Sequence, residues 1–546
     1  MNLRLLLPLV ALACGPATVN VGEDDPFAED PFAEDPTDGN DDPFVTDDED
    51  PGTTEDPGDP IDTEEPVIDE GDWLQPQIPC QPDRVIVGSD VYDTVQEAVD
   101  AAASRAVVFV CRGKHSENLE IDGDAYLRGD DDVDVQIDGG GRAPTIRVKS
   151  GDLVVEWMTL QNGAGVRGGA IAQEGSGTIS LRHTFVKNSR AELGGGVYGG
   201  GGAILIEDST FSGNRATLAE EGLGGGLVTR GLLTIRSSAF DDNQAAKGAA
   251  FATSGPVEVS DTFIRRNTAA FGAVFLDEGA EASIQDVTFG ANVGTLYGAL
   301  VAYAAEVSLE DVVFEENGAS ESSDCIVSDS GSLNAARVTF RDNKFTRTGE
   351  IANAGCVHVF DGTATLEDVT FSGNGGGEGY AGAVTAYEGA EVELIEASFT
   401  GNAAKAGAAL TATGSSIVCQ RCTIEGNSAF WGGAVFAAEG ADVRVEDGSF
   451  TGQTATYGVN VYANGASVSL ADVDMNAQTV GAQGPVGWLY DDGELTLTRV
   501  NLTLPLSAGS ILKEVEFGDG PGAGANLPEG QNTVVCREST RTCVAP

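Results

Sequence analysis

Basic residues and histidines are scarce in this chain, and each scarcity excludes a class of function. There are 30 Lys and Arg residues against 86 Asp and Glu, which gives a formal net charge of −56. Such a polyanion repels phosphate backbones and anionic lipid surfaces, so nucleic acid is not an expected partner. The three histidines, His115, His183 and His358, have no recognisable catalytic partner in the sequence. They are interpreted as packing or surface residues.

Long apolar runs are also scarce, and the run at residues 5–13 is too short to cross a bilayer as a stable helix. With Arg4 before it and small residues after it, this run is typical of a bacterial signal peptide, here residues 1–13. The sequence Ala-Leu-Ala-Cys14 resembles the lipobox of bacterial lipoproteins, whose cysteine is diacylated. By the same resemblance, Gly15 indicates a lipid-anchored, surface-exposed protein of the outer membrane. The alternative is an ordinary signal peptide in which Cys14 is incidental.

Residues 14–75 are expected to be a disordered acidic stalk that begins at the lipidated cysteine. Residues 21–75 contain 23 Asp and Glu and no Lys or Arg, and they include a tandem Asp-Pro-Phe-Ala-Glu repeat at 25–35. Like-charge repulsion, low hydrophobicity and proline keep such a segment extended. The alternative is a segment that binds cations or a basic partner.

The body of the chain is dominated by one repeat, Phe-x-x-Asn, which returns about every 25 residues. A fixed period of this size predicts a solenoid rather than several globular domains. The intact copies are Phe185/Asn188, Phe211/Asn214, Phe240/Asn243, Phe289/Asn292, Phe314/Asn317, Phe340/Asn343, Phe371/Asn374 and Phe399/Asn402. Copies with Ile in place of Phe are Ile264/Asn267 and Ile424/Asn427.

Each repeat predicts three short strands and no helix. Apolar residues stand seven and five positions before the Phe slot, as in Ile204 and Ile206 before Phe211, which is the two-residue period of a strand. The Asn after the slot is expected to form an internal amide ladder, or else only a turn. The fold class is therefore all-β, a single parallel β-helix. Its N-terminal cap and first turns are expected at 76–150, its repeats at 151–505 and a C-terminal cap at 506–546.

The first turns are expected to carry a short capping helix. Thr94 and Glu97 have the spacing of a capping box, and Val95, Ala98 and Val99 follow as an apolar stripe. Such a helix would cover the open end of a solenoid, where core and strand edges are otherwise exposed.

The repeats resemble the right-handed parallel β-helix of the pectin-lyase-like folds. Their pairing of Phe-x-x-Asn with Gly-Gly-Ala-Val phrases, such as residues 432–435, is similar to the repeats of the polymorphic outer-membrane proteins of chlamydiae. The resemblance covers about residues 85–505. It implies a surface rod and specifies no ligand.

A column of acidic residues stands three positions before the slot and predicts an outward stripe on the rod. Divalent cations such as Ca²⁺ are one interpretation of this stripe, and a solvated acidic face is the other. No further cofactor or metal is expected. A second acidic group is interpreted as a turn, with Ca²⁺ binding as the alternative. It consists of Asp130, Asp131, Asp132, Asp134 and Asp138. The stripe consists of Asp208, Asp261, Asp286, Asp311, Asp368, Asp447 and Asp472.

Eight cysteines remain after Cys14, and an even number in an exported chain predicts disulfides. The expected pairs are Cys80–Cys111, Cys325–Cys356, Cys419–Cys422 and Cys536–Cys543. The pair Cys325–Cys356 rests on equal positions in adjacent turns. A zinc site at Cys419 and Cys422 is the alternative, but two further ligands are not apparent.

Two functions remain open. The first is a non-catalytic surface rod for adhesion, envelope scaffolding or glycan binding, with a surface glycan or protein as partner and the membrane contacted only through the lipid. The second is a polysaccharide lyase or hydrolase of the pectin-lyase-like fold. Against it, the Gly-His-Gly, Asn-Thr-Asp and Arg-Ile-Lys sequences of polygalacturonases are absent, and Asp241-Asp242 stands in an ordinary repeat. Contact surfaces are expected at the acidic stripe and at aromatics, if these point outward, such as Tyr297, Tyr303, Trp431 and Tyr457.

The lipobox can be tested directly by changing Cys14→Ser. Because the thiol carries the lipid, this change is expected to release the exported protein from membranes or to stop its processing. The measurement is detergent partitioning together with the mass of the mature N-terminus. Unchanged partitioning of the variant would show that Cys14 is incidental.

Overall fold

The computed structural model describes residues 78–103, 106–130, 134–219, 221–320, 325–344, 355–376, 382–476, 487–503, 515–518, 525 and 531–545. The predicted signal peptide, Cys14 and the predicted stalk lie outside the described residues, as do Asp131 and Asp132.

The chain forms a right-handed parallel β-helix of sixteen coils. Each coil contributes one strand to each of three parallel sheets, named A, B and C in chain order. The alternation of apolar and polar residues turns one side of every strand inward, and each strand pairs in register with its copies above and below. At the usual spacing of strands the rod is about 70 Å long. The prediction of one solenoid is confirmed.

The strand bounds follow the repeat throughout. The parallel strands of sheet A are Val107–Val110, Ala125–Gly129, Leu153–Glu156, Ile179–Arg182, Ile204–Glu207, Leu233–Arg236, Val257–Ser260, Glu281–Gln285, Glu306–Glu310, Ser332–Ala336, Thr363–Glu367, Glu391–Ile395, Ser416–Gln420, Asp442–Glu446, Ser467–Ala471 and Glu494–Thr498. Sheet B contains Gly113–His115, Val135–Asp138, Thr159–Gln161, Phe185–Lys187, Thr210–Ser212, Ala239–Asp241, Phe263–Arg265, Thr288–Gly290, Val313–Glu315, Thr339–Arg341, Thr370–Ser372, Ser398–Thr400, Thr423–Glu425, Ser449–Thr451, Asp474–Asn476 and Asn501–Thr503. Sheet C contains Leu119–Asp122, Ile146–Ser150, Ile171–Gln173, Val197–Tyr198, Leu227–Thr229, Phe251–Thr253, Val274–Leu276, Leu300–Tyr303, Ile326–Asp329, Val357–Phe360, Val384–Tyr387, Leu410–Thr413, Val435–Ala438, Val461–Asn464, Gly487–Tyr490 and Val515–Phe517.

Short strands also line the corner between sheets B and C. They are Arg190–Ala191, Arg215–Ala216, Thr268–Phe271, Val293–Tyr297, Gly318–Ala319, Ser428–Trp431 and Thr454–Tyr457. The last coil reaches Phe517, so the parallel strands extend beyond the expected limit at residue 505.

The Phe slots stack inside the rod as predicted. Phe211 and Phe240 lie parallel with ring centroids 4.6 Å apart, and Phe340 and Phe371 lie 4.5 Å apart. All four side chains are fully buried. Offset-stacked aromatic pairs add stabilisation beyond the area they bury, so this column forms a continuous part of the core.

One predicted slot is wrong by one residue. Phe185 is 51% exposed, and it is Val186 that stacks below Phe211. The apolar residues of the preceding sheet A strand, Ile179 and Leu181, stand seven and five positions before Val186, so they set the register. Since side chains alternate across a strand, a shift of one residue turns the aromatic outward.

The asparagines form the predicted internal ladder. Asn317 Oδ1 accepts from the backbone N–H and the Nδ2 of Asn292, both at 3.0 Å, and Asn317 Nδ2 donates to the carbonyl of Phe289 at 2.8 Å. The ladder contains Asn214, Asn243, Asn267, Asn292, Asn317, Asn343, Asn374, Asn402, Asn427 and finally Gln453. Each amide therefore satisfies a buried backbone donor at the corner after sheet B.

A hydroxyl ladder does the same at the corner before sheet B in the first coils. The N–H groups of Thr184, Ser209 and Ser238 donate to the hydroxyl one coil above, at 3.0 to 3.3 Å. Each of these residues follows a corner residue with positive φ, for example Asp208 at 46°, and the same corner has positive φ in each described coil from Trp157 to Arg499. Aspartate visits this left-handed region more readily than most residues, which explains why the predicted stripe contains so many aspartates.

Both ends of the rod are closed. Helix α1 (Val95–Ala101) packs Val95 and Ala98 into the core, and its cap Thr94 accepts from the N–H of Glu97, which confirms the predicted capping helix. Two antiparallel strands, Val85–Val87 and Asp90–Tyr92, pair beside it, and Thr533–Arg537 with Thr542–Val544 close the other end. Within the described residues, no helix is long and apolar enough to span a membrane.

Three of the four predicted disulfides are present. They are Cys80–Cys111 at the N-terminal cap, Cys419–Cys422 in the core and Cys536–Cys543 at the C-terminal cap.

The fourth predicted disulfide is wrong. Cys325 and Cys356 are buried in neighbouring coils, each directly before the paired residues Ile326 and Val357, but the two cysteines are not joined. Directly stacked side chains point the same way, so their Cβ atoms keep the strand spacing of about 4.8 Å. A disulfide needs Cβ atoms about 3.8 Å apart. Equal positions in adjacent coils therefore do not suffice for a disulfide.

The ladder predicts a large cost for removing one buried amide. Asn317→Ala leaves two donors of Asn292 and the carbonyl of Phe289 without their Asn317 partner, so the free energy of unfolding should fall by about 3 kcal/mol. Asn334→Ala is the matched control, because Asn334 is an exposed asparagine on sheet A, and its effect should stay within about 0.5 kcal/mol. Urea midpoints measure both, and equal midpoints would contradict an energetic role for the ladder.

Candidate contact face on sheet B

The three sheets differ in what their outer faces present. Loops at the B–C corner cover the outer face of sheet C and bury Tyr198, Val228, Phe436 and Tyr462. The predicted contact aromatics divide accordingly: Tyr303 is 42% exposed, whereas three others pack half-buried over sheet C. Those three are Tyr297, Trp431 and Tyr457. The outer face of sheet C is therefore mostly closed.

The outer face of sheet B is open and carries two exposed phenylalanines. Phe185 and Phe263 are each 51% exposed and stand in the same outward column, with Thr210 and Ala239 between them. Three coils separate the two rings, which corresponds to about 14 Å along the rod axis. The small residues between them leave a flat track on the face.

Trp157 and His183 extend this face at the corner between sheets A and B. Their rings stack with centroids 3.9 Å apart, and Trp157 is 36% exposed. Both have a positive φ, 55° and 46°, which is uncommon for bulky residues and costs about 1–2 kcal/mol each. The same corner has a positive φ in the following coils, so this backbone conformation belongs to the repeat, and only the bulky side chains are particular to these two coils.

A basic cluster borders the opposite edge of the same coils. Arg190 and Arg215 are exposed and pair directly across parallel strands, and Lys187 lies two residues past Phe185 on the same outer side of the strand. Among the described residues, Lys187 and Arg215 have no ion pair, while Arg190 donates to the carbonyl of Gly141. Like charges directly opposite each other are destabilising, so this cluster favours an anionic ligand.

Together these residues define what we call the basic–aromatic face. Its members are Trp157, Phe185, Lys187, Arg190, Arg215 and Phe263.

The part of the rod that carries the basic–aromatic face is less acidic than the rest. Residues 83–266 contain 26 acids and 18 bases, whereas residues 267–546 contain 37 acids and 11 bases. The basic–aromatic face therefore lies in the least acidic part of a strongly acidic rod, where an anion meets the least repulsion.

The most enzyme-like group on this face is Asp241. Arg266 binds its Oδ2, and Arg265 lies 3.5 Å from the same oxygen and 5.7 Å above the ring of Phe263. Its Oδ1 is buried and has no hydrogen-bond partner in the described structure. Asp242 is exposed and lies 3.6 Å from Arg266. A carboxylate held between two arginines suits a positioning role better than proton transfer.

The acidic stripe is an outward row, as predicted, but arginines interrupt it. Arg337 binds Asp311 at 2.8 Å and also Glu310, Arg421 binds Glu396 at 2.9 Å, and Arg499 binds Asp472. Hydrogen bonds from these arginines hold the pKa values of Asp311 and Asp472 below their usual range. Arginines therefore supply, in several coils, the countercharge that the calcium interpretation assigned to a cation.

The metal interpretation receives no geometric support from the residues that the structure describes. No group of three or more His, Cys, Asp or Glu side chains among them could hold a metal ion. The carboxylate of Asp138 forms an ion pair with Lys114 at 2.7 Å and accepts hydrogen bonds from Asn162 Nδ2 and the N–H of Gly140. Burial alone would raise the pKa of Asp138, but these hydrogen bonds outweigh it and lower the pKa.

A shallow depression of about 450 Å³ lies at the foot of sheet B. It is lined by Pro82, Asp83, Arg112, Gly113, Lys114, Asp134 and Gln136. Lys114 and Gln136 stand in the same outward column as Phe185, so the depression continues the basic–aromatic face toward the N-terminal end of the rod.

The three histidines lie apart in the fold. His115 is buried, with Nε2 3.1 Å from the carbonyl oxygen of Cys111, and His183 belongs to the Trp157 stack. His358 is fully buried, and neither ring nitrogen has a hydrogen-bond partner in the described part of the chain. The interpretation as packing or surface residues fits all three positions.

Comparison with models of known protein families gave no match, and a search of curated proteins also gave none.

Sequence reasoning did not find the basic–aromatic face, although one signal was present. Phe263 directly precedes Ile264, which was correctly placed in the slot. An aromatic residue directly before an inward residue of a strand must point outward. The same argument applies to Phe185. Ile179 and Leu181 set Val186 as the inward residue, so Phe185, which directly precedes it, must point outward.

The burial of His358 predicts a stability that depends on pH. Burial lowers its pKa to about 3, so between that pH and about 6.5 the unfolded chain takes up a proton that the folded chain refuses, and stability falls as the pH falls. His358→Leu should remove this part of the slope, about 1 kcal/mol per pH unit. Urea midpoints at pH 7, 5.5 and 4 measure it, with Thr385→Val, the stacked neighbour, as control. Parallel pH profiles for all three proteins would contradict the prediction.

Proposed function

We propose that this chain is an exported, non-catalytic rod that acts by contact, and that the basic–aromatic face binds a surface glycan. The observation that carries the proposal is the pair of half-exposed rings, Phe185 and Phe263, in one flat column of sheet B. Exposed apolar patches rimmed by polar residues mark interaction sites. An extended polymer running along the rod axis would contact both rings.

The chemistry of the face suits a carbohydrate. Aromatic rings offer rigid apolar surfaces to the C–H faces of sugars, while Lys187, Arg190 and Arg215 offer donors to hydroxyl and carboxylate oxygens. Thr210 and Ala239 keep the path between the rings level. Each contact is weak, and repeated contacts along a polymer add up through avidity.

The cellular setting is part of the same proposal. A signal peptide at 1–13, diacylation at Cys14 and retention at the outer membrane would place the rod at the cell surface, with the acidic stalk between lipid and rod. The likeness of the repeats to those of chlamydial surface proteins supports this arrangement. Adhesion or envelope scaffolding through glycans follows from it.

A polysaccharide lyase or hydrolase is the second candidate, and the specific observation in its favour is Asp241 between Arg265 and Arg266. This group lies beside Phe263 on the proposed face. The salt-bridged state of Asp241 favours a binding role, and the experiment below separates the two candidates.

The test measures binding of the purified rod to pectin, alginate, hyaluronan and chitin. Replacing both rings (Phe185→Ser with Phe263→Ser) should weaken binding to the best ligand about tenfold, because two aromatic contacts contribute about 1.4 kcal/mol or more together. Tyr303→Ser is the matched control, since it removes a similarly exposed ring, 42% against 51%, outside this face. It should bind as the unaltered chain does.

Two outcomes would overturn the proposal. Equal losses in Tyr303→Ser and in the double variant would assign binding to nonspecific contacts. Shortening of the polymer that disappears in Asp241→Asn would show an enzyme instead.

A further inference from the structure

The chain enters the rod at the foot of the basic–aromatic face. The first described residues lead to Pro82 and Asp83, which line the depression beside Arg112 and Lys114. The N–H of Asp83 donates to the carbonyl of Arg112 at 2.9 Å, which fixes this entry point. Lys114 stands three coils below Phe185 in the same outward column. Everything upstream of residue 78 is therefore tethered at one end of this face.

The segment upstream of residue 78 is negatively charged, whereas the basic–aromatic face is positively charged. An anion would relieve the repulsion between the stacked side chains of Arg190 and Arg215. Lys187 adds a third positive charge nearby. Residues 21–75 carry 23 carboxylates and no base, and within them the tandem Asp-Pro-Phe-Ala-Glu repeat places Phe27 and Phe32 between acidic residues. Acidic and aromatic groups alternate there as basic and aromatic groups do on the face.

The spacing also agrees. Phe27 and Phe32 are five residues apart, and Pro26 and Pro31 favour a polyproline II chain, so the two rings would be about 15 Å apart at about 3.1 Å per residue. Phe185 and Phe263 are about 14 Å apart at the usual strand spacing. The distance between the rings therefore matches. A polyproline II chain has three residues per turn, so rings five residues apart point about 120° away from each other, and one ring at a time stacks on Phe185 or Phe263.

The tether is long enough for this contact. Between Phe32 and residue 78 the chain has 46 residues, which span about 140 Å when the chain is extended. Phe263 lies six coils above Lys114, or about 29 Å. The tether is therefore longer than the distance it must cover, and it keeps the segment concentrated near the face, which favours even a weak contact.

We propose that residues 25–35 dock on the basic–aromatic face of their own chain and occupy it in competition with an external ligand. Charge and tether length support docking, whereas its role as a regulator rests on the proposed glycan function. The rod would then expose its contact face only when an external polymer displaces the segment.

Carbodiimide cross-linking of the full mature chain tests the docking, because it joins the Lys187 amine to a carboxylate in contact with it. We expect peptides that link Lys187 to residues 25–35 in the monomer fraction. Lys149, which lies 2.9 Å from Glu120 and away from this face, is the control amine and should link to Glu120 instead. Mixing light and heavy isotope-labelled chains shows whether the link forms within one chain.

The key variant keeps all charges and removes the two rings, Phe27→Ser with Phe32→Ser. It should reduce the Lys187 cross-links at least fivefold and leave the Lys149–Glu120 cross-link unchanged. Links from Lys187 spread evenly over all the acids of residues 21–75, in both proteins, would overturn docking. Links only between light and heavy chains would overturn docking within one chain.

The glycan arm separates this inference from the proposed function. If the variant without Phe27 and Phe32 binds the best glycan at least threefold more tightly than the unaltered chain, the segment regulates the face. If no glycan binds and the cross-links persist, the proposed function fails while docking stands. Equal glycan affinity of the two proteins would overturn the regulatory role.

Discussion

The in-register stacking of coils is the constraint on which the rest of this structure depends. Each position lies about 4.8 Å from the equivalent positions in the coils above and below. A residue type is therefore favourable only if it can pack against, or hydrogen-bond to, another residue of the same type. Phenylalanines meet this condition by stacking, and asparagines meet it by donating and accepting in one direction along the axis. The ladders of amides and hydroxyls also satisfy the backbone donors at the corners that no sheet can satisfy.

Charges obey the same constraint, because a charged residue stacked on its copy is repelled by it. Along the acidic row, arginines in several coils form ion pairs that offset this repulsion, as Arg337 does with Asp311. Arg190 on Arg215 is a place where like charges stay opposed on an open face. The positive φ of Trp157 and His183 and the exposure of Phe185 occur in the same coils. Bulky rings and paired arginines thus lie together where we propose that the protein makes contact.

The ends of this rod are closed, the outer face of sheet C is mostly covered, and the outer face of sheet B is open, so sheet B offers the main surface for contact. Contact along sheet B uses the length of the solenoid, since rings three coils apart require a partner that is itself extended. Both proposed occupants, a polysaccharide and the chain's own acidic repeat, satisfy that requirement. Their competition would couple the stalk to the rod without any change in the fold.

The sequence alone determined the solenoid, its strands, the capping helix, the asparagine ladder and three disulfides, because each depends on local periodicity or on near neighbours. It did not determine the place of Phe185, since a one-residue shift in a strand reverses inside and outside, and only stacking on Phe211 decides between them. Nor did it exclude a Cys325–Cys356 bond, which depends on the direction of two stacked side chains rather than on their register. The basic–aromatic face likewise exists only in the tertiary structure, because residues from 157 to 263 meet on one surface through the rise of the coils.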